Sequence, residues 1–151
     1  MNDEMQTESL KDEMTNIVEE SRMVIPGAQA LFGFQTLAVF NDRFDDLPEN
    51  GKVTYLIALG LLTLAIALLM APAAYHRLAE PGQVSRRMIC FSSRAITFGM
   101  VPLLLAFSID VYVVVLVGVA NPLIGLVASV TTMICLFTLW FGFPIAYRWL
   151  R

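Results

Sequence analysis

The stretch LLLAFSIDVYVVVLVG, residues 103–118, decides how this chain is read. Fifteen of its sixteen residues suit the inside of a lipid bilayer, and the other is Asp110. So long an apolar run predicts a membrane-spanning helix rather than the core of a soluble domain. The carboxylate within it is then a question about function. A charged Asp at the centre of a span costs about 2.5–3.5 kcal/mol on the insertion scale, and such groups serve ion or proton movement by default.

The rest of the chain has the same character. Its 151 residues are 57% hydrophobic and 15% charged, with a mean hydropathy of +0.67. A soluble domain carries about a quarter charged residues. Residues 1–22 hold seven acids against Lys11 and Arg22, a sum of −5, and the remainder sums to +2. Neither part has the dense basic patch that nucleic acid requires. The first apolar stretch begins near Met23, behind an acidic segment, unlike a secretory signal with its basic start.

The apolar segments predict four spans, at about 23–40, 53–75, 95–119 and 123–147. The fold expected is all-α and polytopic: two transmembrane hairpins preceded by an amphipathic helix in residues 1–22. In that helix Leu10, Met14, Ile17 and Val18 form one apolar stripe, and Thr7 or Ser9 can cap its start. Helices that lie on anionic membranes have basic polar faces. This acidic one is expected to pack on a partner chain or on the protein's own loops. Turns are expected in NDRFDDLPENGK (41–52), at Pro81-Gly82 in HRLAEPGQVSRR (76–87), and at Asn121-Pro122. A five-span alternative breaks the chain at Ser108-Ile109-Asp110, but that stretch has no Gly or Pro. In the second span, Ala67 and Ala71 form a small-residue pair suited to close helix approach.

Charge sets the orientation. With both termini and the 76–94 connection on one side, that side carries Lys11, Arg22, Arg77, Arg86, Arg87, Arg94, Arg148 and Arg151. The other carries Arg43 and Lys52. Eight basic residues against two place both termini in the cytoplasm and residues 41–52 outside.

Asp110 has no Lys or Arg at its depth. Arg94 is sixteen residues away, about 24 Å along a helix, and reads as an interfacial side chain that reaches the headgroups. The expected neighbours of Asp110 are polar but uncharged: Gln29 and Gln35 in the first span, Thr63 in the second and Thr132 in the fourth. Gln29 and Gln35 lie six residues apart, so they do not share a helix face well. The buried carboxyl must then be protonated, or ionised against water or a bound cation. The plainer alternative is a neutral Asp110 that only joins two helices. Asp42, Asp45, Asp46 and Glu49 form an external acidic loop that can gather cations, or a solvated turn in which Arg43 pairs locally. His76, the single histidine, sits at the inner interface between Tyr75 and Arg77.

Enzyme chemistry has no footing here. There is no nucleophile–base arrangement and no phosphate-binding glycine loop. Cys90 and Cys135 stand alone, which with one histidine leaves no metal site, and nothing calls for a cofactor.

Three stretches, ESRMVIPGAQALFGFQ (20–35), FNDRFDDLP (40–48) and MAPAAYHR (70–77), resemble a family of small bacterial four-span membrane proteins of unknown function. The likeness is strongest over about residues 20–94. It implies the four-span fold and a bacterial cytoplasmic membrane. Some members carry an automatic sodium/proton antiporter label, but the resemblance brings no site residues with it.

Two functions follow as expectations. The first is monovalent cation or proton transport through Asp110, helped by Gln29 or Gln35. Four spans are few for a transporter, so a homo-oligomer in the bilayer is expected. The second is a non-transporting scaffold or accessory subunit that docks a protein partner through residues 4–22.

Overall fold

The computed structural model describes residues 2–79 and 85–149, without the side chains of residues 2–9, Lys11, Ser21 and Arg43. The Pro81-Gly82 turn and Arg151 lie outside the described residues. Those described are helical, with short connections and no strand: α1 (Asn2–Ala38), α2 (Asp42–Asp45), α3 (Glu49–Ala79), α4 (Arg86–Val119), α5 (Pro122–Phe137) and α6 (Phe143–Trp149). A five-residue π-helical turn, Thr138–Gly142, joins α5 to α6. Three helical stretches, Glu49–Ala79, Arg86–Val119 and Pro122–Trp149, are long and apolar enough to cross a membrane.

The sequence reading put a boundary near residue 22, between an amphipathic helix and a first span. The structure has one helix there, α1, 37 residues long. The apolar pattern changes at residue 22, but no Gly or Pro interrupts the backbone at that point. Pro26 lies inside α1 and removes one N–H without ending the helix. α4 is likewise unbroken through Ser108–Asp110, which removes the five-span alternative.

Local chemistry fixes the helix ends. Ser85 caps α4 by accepting a hydrogen bond from the Met88 N–H at 3.1 Å. α4 closes at Ala120, whose φ of 54° is left-handed, with its N–H on the Leu116 carbonyl at 2.9 Å. That closure favours glycine, so alanine holds it at a cost of about 1 kcal/mol. Pro122 then keeps Asn121 out of the helical region. Asn121 is extended, and its side chain accepts from the Leu123 and Ile124 N–H groups, so only Ala120 and Asn121 separate α4 from α5.

The buried faces repeat at alternating spacings of three and four. On α3 they are Tyr55, Ala58, Leu62, Ala65, Leu69 and Pro72; on α4 they include Ser92, Ala95, Gly99, Pro102 and Ala106. This is the seam spacing of closely packed helices, with small residues easing the approach. The small pair expected at Ala67 and Ala71 is not on that seam: Ala67 is exposed, and Ala58 and Ala65 take the role.

The chain divides into two compact units, each drawing on several helices. The first comprises residues 1–34 and 63–101. Its core packs Ile17, Leu69, Ile89 and Ile96, with Leu10, Val24 and Ile25 against them. The apolar stripe of the N-terminal segment is therefore used within the chain itself. A Cβ on Gly99 would sit 3.3 Å from Leu68 and Leu69 atoms, so this glycine sets how closely α4 approaches α3.

The second unit comprises residues 35–62 and 102–151. Leu47, Tyr55 and Val113 form its core, joined by Phe44, Ile109, Tyr112, Leu116 and Val117. Gly125 on α5 lies against Tyr112. Beyond these contacts α5 is almost wholly uncovered: Leu123, Leu126, Val127, Ile134 and Phe137 are exposed. A helix apolar all round and so little buried by protein suits lipid.

Candidate functional site

Asp110 lies nine residues before the end of α4, about 14 Å along the axis, or about half the hydrocarbon thickness of a bilayer. It is partly buried within the second unit. Gln35 on α1 meets it: Gln35 Nε2 lies 2.5 Å from Asp110 Oδ1 and 2.5 Å from Oδ2, donating to the carboxyl group. Gln35 is only 4% exposed, and its Oε1 is buried without a hydrogen-bond partner. No basic side chain pairs with Asp110 among the described residues.

The backbone of Gln35 is also held. The last four carbonyls of a helix lack partners within it, and Gln35 contributes one of them, since α1 ends at Ala38. The Tyr55 hydroxyl donates a hydrogen bond to this carbonyl. One tyrosine on α3 thereby caps α1 and fixes the residue that holds Asp110. Two residues before Asp110, the Ser108 carbonyl accepts from the Ser129 hydroxyl of α5 at 2.7 Å. The Ser108 hydroxyl is turned back on the Leu104 carbonyl at 2.9 Å. Four helices thus contribute hydrogen bonds within one turn of Asp110.

The segment after α1 covers this polar cluster with apolar side chains. Phe44 and Leu47 turn inward, with Phe44 edge-on to the Tyr55 ring at 5.3 Å. A cavity of about 250 Å³ remains, lined by Ala38, Asn41, Phe44, Leu47, Tyr55, Val113, Val114 and Val117. A second, of about 490 Å³, shares Leu47 and Val117 with it and reaches Asp46, Pro48, Leu116 and Ala120. Both stand on the side of Asp110 toward the C-terminal end of α4.

The structure sorts the candidates read from the sequence. Asp110 and Gln35 come together. Gln29 is exposed and belongs to the first unit. Thr63 is exposed, while Thr132 donates to its own helix at the Ala128 carbonyl, 2.9 Å away. Asp42, Asp45, Asp46 and Glu49 are all exposed. The local ion pair is Lys52 with Asp45, at 3.8 Å; the Arg43 side chain expected in it lies outside the described residues. Arg94 is exposed, and His76 is half-buried with Nδ1 unpartnered. Cys90 and Cys135 are free and exposed. Tyr55, Ser108, Ser129, Phe44 and Leu47 were not singled out in the sequence. The three-residue spacing of Phe44 and Leu47 within the otherwise polar segment after α1 is the one available signal for the last two.

Against known families, residues 3–144 match the model of a family of unknown function, DUF6328. The chain belongs to this family. No protein of curated function and no solved structure matches it. DUF6328 membership and the three long apolar helices fit a small membrane protein. Within this DUF6328 chain, the Asp110–Gln35 pair is the polar centre among the apolar helices.

Proposed function

We propose that this chain is an integral protein of the bacterial cytoplasmic membrane that moves a monovalent cation or a proton, with Asp110 as the loading site. Its four long helices span the bilayer as two hairpins, with both termini in the cytoplasm. The single observation that carries the reading is a carboxyl group held by a neutral amide, at membrane depth, about one turn of α4 from a cavity that Tyr55 and Val113 line. An acid kept only to join helices is best served by a neighbour that satisfies it fully and by tight packing. Here Gln35 Oε1 is left without a partner, and space remains next to Tyr55. In the orientation set by the basic residues, the cavities lie on the external side of Asp110. Gln35 and Tyr55 position the carboxyl group; the exposed acids at 42–49 sit at the outer mouth. The uncovered α5 face suits assembly of several copies as well as lipid.

The test is ion flux in liposomes holding purified protein and a pH dye, under sodium, potassium or proton gradients. Wild type should move an ion and Asp110→Asn should not, with helical content equal in both. Absence of flux in wild type under all three gradients would remove the reading.

A scaffold role is the second reading, and one observation favours it. Leu10, Met14 and Ile17 of the α1 stripe pack inside the first unit, yet Val18 and the acids Asp12, Glu13, Glu19 and Glu20 remain exposed. A partner docked there would bring a basic face, and its capture would weaken steeply with salt.

A further inference from the structure

We propose that the species taken up by Asp110 is a proton, and that the Gln35 amide changes its hydrogen bonds when the proton arrives. This takes the transport reading and names its cargo.

The hydrogen-bonding inventory of the pair carries the argument. A carboxylate only accepts, whereas a protonated carboxyl both donates and accepts. Gln35 offers one group of each kind. Its Nε2 reaches both oxygens of Asp110, and its Oε1, in a side chain 4% exposed, meets nothing. That arrangement suits the ionised acid and leaves an acceptor stranded. Adding a proton to Asp110 repairs it. The new O–H donates to Oε1, while Nε2 keeps its bond to the other carboxyl oxygen. The acid and the amide then form a closed ring of two hydrogen bonds, and a small slide of the amide suffices. The proton comes from water and returns to water, with no other bond made or broken.

A metal cation meets the reverse situation. Hard cations need a shell of several oxygens. The group nearest the carboxylate is an N–H donor, which repels a cation. The Gln35 backbone carbonyl already accepts from Tyr55, which leaves the side-chain Oε1 as that residue's single free oxygen for a cation. No group of three or more His, Cys, Asp or Glu side chains that could hold a metal ion occurs among the described residues. The 250 Å³ cavity beside the site is lined mainly by Phe, Leu, Val and Ala. Such walls give a cation little in exchange for its hydration shell, whereas a proton needs only a brief chain of water.

Few other groups can titrate nearby. Tyr55 on α3 and Tyr112 on α4 are the ionisable side chains of the unit's core, and α1 contributes the neutral Gln35. From the covering segment, Asp42, Asp45, Asp46 and Glu49 point outward, and Lys52 is paired with Asp45.

The test is infrared difference spectroscopy on the full chain in vesicles, titrated with pH, with glutamine amides labelled by carbon-13. A protonated-carboxyl band should appear as pH falls, together with a shift of a labelled amide band. Asp110→Asn should lose the carboxyl band, Asp110→Glu should keep it displaced, and Gln35→Leu should lose the coupled amide shift. Replacing choline by sodium or potassium should leave the titration in place. A missing carboxyl band, an amide that does not follow it, or a titration displaced by sodium or potassium overturns the proposal. If carboxyl and amide respond together while liposomes pass no protons, the transport reading falls and the proton-binding pair stands.

Discussion

The two compact units divide the same long helices into regions of different chemistry. The hydrophobic core of the first is aliphatic, built from Ile17, Leu69, Ile89 and Ile96, with Gly99 letting α4 lie close against Leu68 and Leu69; its buried polar atoms, Ser92 Oγ and His76 Nδ1, make no hydrogen bond across helices. The second joins its helices through polar contacts, Gln35 with Asp110, Tyr55 with the Gln35 carbonyl and Ser129 with the Ser108 carbonyl, and leaves a cavity beside Tyr55. Dense apolar packing resists rearrangement because any gap forfeits contacts. Hydrogen bonds next to a cavity can exchange partners without repacking. The difference teaches that stability and chemistry can be assigned to different units of one chain.

Substitutions in each unit can break this division. The largest effect belongs to Asp110→Asn, which should remove ion flux entirely in liposomes while thermal unfolding in detergent changes little. Leu69→Ala should do the opposite. It should cost about 2 kcal/mol, the low end for such cavities because the lost methyl groups pass between two apolar media. That loss is read as a lower melting temperature, with flux per folded molecule unchanged. Flux abolished by Leu69→Ala in folded protein would end the separation of roles. Tyr55→Phe sharpens the comparison, since it removes only the hydroxyl that caps α1. About 1 kcal/mol of stability should go, and flux should fall several-fold because Gln35 is less well held. Ser129→Ala is the smallest, at about 0.6 kcal/mol. Its effect should appear in unfolding curves and be absent from flux.

The sequence made some of this legible and concealed the rest for physical reasons. Asp110 stood out because a lone charge in an apolar run has no ordinary explanation. Gln35 could be narrowed to one of two candidates, since residues six apart cannot both face one neighbour; only three-dimensional packing could choose between them. Tyr55 was hidden because its partner is a backbone carbonyl, which every residue carries, and its place near the start of a span reads as interfacial. The change from an acidic amphipathic pattern to an apolar one near residue 22 suggested two elements. A helix needs only continuous backbone hydrogen bonds, so α1 runs through. The acids at 42–49 read as an external loop that can gather cations, and they are exposed; what their charge concealed is that Phe44 and Leu47 between them turn inward and make the cover apolar. The short pair Ala67 and Ala71 matched a spacing rule, but the seam on α3 is set by the whole run from Tyr55 to Pro72.

The π-turn at Thr138–Gly142 bears on how the family can vary in length. Wider than an α-turn, it takes up one extra residue within a helix while the segments on both sides keep their faces. Elsewhere in the long apolar helices, adding or removing one residue would swing everything beyond it by about 100° and turn exposed apolar side chains inward. Between Thr138 and Gly142 a deletion would instead relax the turn to ordinary α-helix. Relatives one residue shorter in the last long helix are therefore expected to carry their gap there, with α5 and α6 otherwise in register.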